Sequence, residues 1–153
     1  MDKSSELINS AMLYIRGQYG GIIVRSSDVS TEKQIRMGIV GLKLFFRVAE
    51  EWQLTEEQQR VILGSPARSA LTDWKESVFA AHSVRLSEDT LERLSLFAGI
   101  RKGVELLYPK SQWNDYPHRA NLMFGGQSLI ERICAGRMVD LWDVRRYLDS
   151  ECA

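Results

Sequence analysis

Residues 87–109 read SEDTLERLSLFAGIRKGVELLYP. Leu91, Leu94, Phe97, Ile100, Val104 and Leu107 recur along them at the spacing of one helix face. Ser87 stands before Glu88 and Asp89, acids that suit the positive end of a helix dipole. Pro109 closes the segment. The stretch predicts a long helix that opens after Ser87 and stops before Pro109.

The same period extends outward in both directions. Upstream, Ile39 to Trp52 places Leu42, Phe45, Phe46, Ala49 and Trp52 on a core-facing stripe. Thr55, followed by Glu56, Glu57 and Gln58, predicts a capped helix that ends at Leu63-Gly64. Ser65-Pro66 predicts the next start, a capping hydroxyl and then proline at the first helical position, with the helix running to about Val78. Nearer the N-terminus, Leu7, Ile8, Met12 and Ile15 mark a helix from about Ser4 to Arg16. Gly20-Gly21 with Ile22 to Val24 reads as a linker in preference to a swapped arm, and polar residues 26–34 read as linker too. Downstream, a loop from Lys110 to about Gln127 precedes two short helices, Ser128 to Ala135 and Met138 to about Ser150, separated by Gly136. The expected fold is all-α, a helix-turn-helix-like core followed by a small helical C-terminal domain. Residues 1–36 are an N-terminal helix and arm, 37–85 the helix-turn-helix region and 86–153 the C-terminal domain.

Composition narrows the class. Hydrophobic residues make up 44% of the 153 and charged residues 26%, the balance of an ordinary soluble domain. No run approaches the roughly eighteen apolar residues that span a bilayer, and the N-terminus resembles no secretory signal. Two cysteines, Cys134 and Cys152, suit a reducing cytosol better than a disulfide framework. A cytoplasmic protein without membrane contact is expected. Twenty Lys and Arg balance twenty Asp and Glu, which counts against nucleic acid as the chief partner.

Catalysis finds little support. His82 and His118 are the only histidines, and neither has a partner at metal-ligand spacing. Asp115 lies three residues before His118, but no nucleophile motif accompanies them. No catalytic residue, metal or cofactor is expected. Trp52 and Trp74 fall on apolar faces, whereas Trp113 and Trp142 are placed at a partner surface.

Two segments carry the functional expectation. Residues 41–76 have the cadence of a helix-turn-helix, whose second helix would offer Arg68, Ser69 and Thr72 to bases and Lys75 to a phosphate. Residues 37–80 nevertheless hold five basic against six acidic residues, and Asp73 sits on the would-be recognition helix. The second segment, residues 121–150, reads NLMFGGQSLIERICAGRMVDLWDVRRYLDS. It is a glycine loop and a helical hairpin whose last helix has Leu141, Val144 and Leu148 as its apolar stripe. Arg145, Arg146 and Asp149 are expected on a more polar side.

This second segment resembles the Xre/MbcA/ParS-type antitoxins, the partners of RES-domain toxins. The resemblance rests on Asn121, Phe124, Gly125, Gly126, Ser128, Gly136, Asp140, Leu141, Val144, Arg145, Tyr147, Leu148 and Asp149. Many members have proline after the Ser128 position, where this chain has Leu129. LGSPARSALTDWK, residues 63–75, is a second point of similarity, and residues 1–36 match nothing in the family. The resemblance implies an antitoxin that binds an NAD-degrading RES toxin and occludes its active site. It implies toxin contacts at Asn121, Phe124, Gly125, Gly126, Arg145, Tyr147 and Asp149, to which the pattern of exposed aromatic and charged residues adds Trp142 and Arg146. It also implies homo-oligomers within the toxin complex, and operator DNA as a second partner. The alternatives are a regulator acting mainly on DNA and an adaptor with a different protein partner. Deleting the tail after about Val139 is expected to abolish neutralisation while leaving the helix-turn-helix folded.

Overall fold

A computed structural model describes residues 31–80 and 82–153. Within them the order is α1 (Thr31–Glu51), α2 (Glu56–Ile62), α3 (Arg68–Ala80), α4 (Glu88–Leu107), three short 3-10 turns, α5 (Leu129–Ile133) and α6 (Met138–Cys152). No strand occurs among the described residues, only an isolated antiparallel bridge between Ala120 and Ser128. The chain is all-α. No described helix is long and apolar enough to cross a membrane. The N-terminal helix read at residues 4–16 and the glycine-rich stretch after it lie outside the described residues.

Cap chemistry placed several starts correctly. Thr55 and Gln58 form a reciprocal capping box at α2, with bonds of 3.1 and 2.9 Å. Ser87 caps α4 through the Thr90 amide at 3.2 Å. Two expectations fail. Residues 31–34, read as linker, are the first turn of α1; Glu32 and Lys33 are exposed there, so the turn has no apolar face to announce it. Ser65 does not cap α3, because its φ of +60° puts it in the left-handed region next to Gly64 at +91°. The turn is therefore longer than expected, and α3 begins at Arg68.

The central element is α4, buried on nearly every side rather than along one stripe. Its most extensive neighbour is α6, followed by α1, and α3 packs on α1. One apolar cluster runs from Leu42, Phe45 and Trp52 through Phe97 and Ile100 to Leu141, Val144 and Leu148. The segments on either side of residue 86 thus share a core. A chain cut after Val139 would lose three of those residues and strip one face of α4, so the expectation that such a truncation leaves the rest folded is corrected.

Three guanidiniums are buried with this core. Arg93 donates to Asp89, to the Ile62 carbonyl and to the Gly136 carbonyl, the last at 2.9 Å, tying the end of α2 to the α5–α6 turn. Arg101 bridges Glu51 at 2.8 Å and Glu105 at 3.0 Å. Its guanidinium also lies 5.3 Å from the ring centre of Trp113. Trp113, expected at a partner surface, is half-buried and structural: its indole N–H donates to the Tyr108 carbonyl at 2.9 Å, and its own carbonyl accepts from Trp52 at 3.0 Å. The third is Arg145, described below.

Candidate protein-docking site

The site is built on α6, whose two faces differ. Inward, Leu141, Val144 and Leu148 are fully buried. Gly99 and Gly103, one turn apart on α4, let the helices approach: a Cβ at Gly103 would lie 2.9 Å from the Leu148 Cβ. A Cβ at Gly99 would fall on the Arg145 guanidinium. Arg145 therefore does not stand on the polar side as expected. It is 5% exposed, occupies the space Gly99 leaves, and donates through Nε to Asp149 at 3.0 Å. Asp149 is exposed but is engaged in holding Arg145.

The start of α6 is tied down by Asp140. Its buried carboxylate accepts from the Arg137 backbone N–H at 3.1 Å and from the Arg137 side chain at 3.1 and 3.0 Å. Arg132 reaches Asp140 at 3.4 Å and Asp143 at 2.8 Å, joining α5 to α6. The Arg137 side-chain hydrogen bond, opposed by burial, holds the Asp140 carboxyl below its ordinary range.

The loop before α5 is a rigid turn. Asn121 accepts through its side chain from Met123 N–H at 2.9 Å, and through its carbonyl from Phe124 and Gly126 N–H, both at 3.0 Å. Its own N–H donates to the Gln127 carbonyl at 3.0 Å. Gly125 and Gly126 have φ of +65° and +89°, and a Cβ on either would meet nothing within 4 Å. Backbone conformation, not space, is what calls for glycine there. Ser128 then caps α5 in a box with Glu131. Asn121, Gly125 and Gly126, expected as contact residues, shape the turn.

The turn presents Leu122 and Met123 at 94% and 71% exposure. Phe124 folds back edge-on to Tyr147, ring centres 5.1 Å apart. Beside them opens a cleft of about 540 Å³, lined by Met123, Phe124 and Tyr147 together with the polar Asp143, Arg146 and Ser150. Arg146 is exposed, with its guanidinium 5.8 Å from the ring centre of half-buried Trp142. Of the expected contact residues, Phe124, Trp142, Arg146 and Tyr147 are gathered here. Leu122 and Met123 were missed. Their signal was two adjacent apolar residues, outside any helical period, between a turn-capping Asn and a Gly-Gly pair.

The helix-turn-helix residues lie elsewhere. Arg68 and Ser69 are exposed at the start of α3, and the Thr72 hydroxyl donates to the Arg68 carbonyl at 3.1 Å. Lys75, expected on a phosphate, is half-buried with its ammonium 5.5 Å from the Phe46 ring centre. Asp73 is exposed on the same helix. Among the described residues no group of three His, Cys, Asp or Glu is placed to hold a metal ion. Burial pushes the Cys134 thiol up to about 11, far from a reactive thiolate.

Fold and site together define an all-α protein that presents a preorganised apolar turn beside an open cleft with polar members. The uncharacterized protein y4oB of Sinorhizobium fredii is 37% identical over 111 residues, which is 72% of this chain and 82% of that protein. The chain belongs to the same family as y4oB. No family model and no solved structure matches it.

Proposed function

We propose that this chain is an antitoxin that binds a RES-type toxin through the cleft beside Tyr147 and covers the toxin's NAD-degrading active site. The supporting observation is the division of labour inside the C-terminal motif. Asn121, Gly125, Gly126, Ser128, Gly136, Asp140, Leu141, Val144, Arg145, Leu148 and Asp149 are accounted for by turns, caps, packing and the ion pair that holds Arg145, and what remains, Phe124 and Tyr147, lines one open cleft with Arg146. Apolar and aromatic residues with an arginine, around a partly polar depression, are the composition of protein interfaces. The interaction needs no cofactor, and the chain works in the cytoplasm with the toxin.

The test is co-expression with a RES-domain protein, which this reading expects to be encoded beside it. Cells should keep their NAD and grow, and the two chains should purify together. Loss of NAD despite full-length antitoxin at matched levels would sink the reading. A regulator acting mainly on DNA draws support from exposed Arg68 and Ser69. A gel shift on the upstream DNA at low salt, where phosphate contacts are strongest, separates it: no retardation there removes it.

A further inference from the structure

Resting on that reading, we infer that Leu122 and Met123 are the anchor that enters a pocket of the toxin, and that Arg146 rather than Arg145 makes the ion pair at its rim. Five large apolar side chains are exposed among the described residues: Phe79, Leu106, Leu122, Met123 and Val139. Only Leu122 and Met123 adjoin, and they sit at the tip of a turn whose backbone is fixed by Asn121 and two left-handed glycines. A turn already held in shape loses little conformational freedom on binding. Complete burial of each side chain strengthens association by roughly ten- to a hundredfold.

Charge narrows the partner. Arg132, Arg137 and Arg145 all lie against carboxylates of their own chain, namely Asp140, Asp143 and Asp149. Arg146 makes no ion pair with a described residue. Its guanidinium lies 5.8 Å from the Trp142 ring centre, within cation–π range, and it lines the cleft together with Met123. The shape and charge that complement this surface are a concave apolar pocket with a carboxylate at its edge.

The experiment measures Kd between the purified RES-domain toxin and the full chain, with urea unfolding of each variant alongside. The double variant Leu122→Asp/Met123→Asp should weaken binding about 100-fold, and Arg146→Glu about tenfold, with urea midpoints unchanged. Phe79→Asp, an equally exposed apolar residue elsewhere, should bind as the unaltered chain does. Should the double variant unfold, Leu122→Ser reads the same contact. Native affinity in the Leu122 and Met123 variants overturns the inference and leaves the antitoxin reading intact. So does loss of self-association by the double variant with toxin binding kept, because the turn would then be covered by a second copy of this chain. An unaltered chain that does not bind the toxin overturns both.

Discussion

Arg145 and Arg146 are neighbours in sequence, yet one is buried and the other exposed, on different faces of α6. The inward face lies on the glycine strip of α4, holds Arg145 at 5% exposure and closes the core. The outward face carries Trp142, Arg146 and Tyr147 and opens on the cleft. One short motif therefore encodes a lock and a surface. Substitutions on the two faces should separate stability from binding, and a motif residue is a contact residue only if the lock has no use for it.

The strongest test of this division is Leu141→Ala. Leu141 is fully buried between α6 and α4, and its truncation should lower unfolding free energy by about 2–5 kcal/mol in urea titrations. A loss below about 1 kcal/mol would mean that α6 is not part of the lock. Gly103→Val comes next. The new side chain meets the Leu148 Cβ, which cannot swing away as a long side-chain tip can, so a loss of about 1–3 kcal/mol is expected. Gly99→Ala should cost less, because it meets the flexible end of Arg145.

The smallest effect concerns pH. The Asp140 carboxyl is held low in the folded chain, chiefly by Arg137, so the unfolded chain takes up its proton more readily. The stability it contributes is complete above the ordinary carboxylate pKa and is lost as pH falls through the lowered folded value. Asp140→Asn should therefore be less stable at pH 7 by about 1 kcal/mol, and the gap should close toward pH 3. A gap that stays constant would show that Asp140 acts by shape rather than charge.

Much of this was legible in the sequence, because caps and turn glycines act over three or four residues. Thr55, Ser87, Gly125, Gly126 and Gly136 announce their roles locally. What stayed hidden depends on contacts between distant segments. An arginine reads as polar until the glycine opposite is known, so the sequence pattern alone puts Arg145 on the surface. Gly99 and Gly103, four apart on α4, are the local trace of that contact. Ser65-Pro66 carries the letters of a helix start, but the backbone turns left-handed at Ser65 to pass Gly64. The candidate site was half legible. Phe124 and Tyr147 follow from the resemblance and Trp142 and Arg146 from the residue pattern of the last helix, whereas the exposure of Leu122 and Met123 required the geometry of the turn.

The four indoles divide along the same boundary, which makes the protein its own optical probe. Trp52 and Trp113 are chained by hydrogen bonds under Arg101, and Trp74 packs at the edge of the core, so their emission should report unfolding. Trp142 alone lies next to the guanidinium of Arg146, which lines the cleft. Occupation of the cleft should shift its fluorescence while the other three stay constant, and Trp142→Phe should abolish that shift, giving a label-free readout of docking.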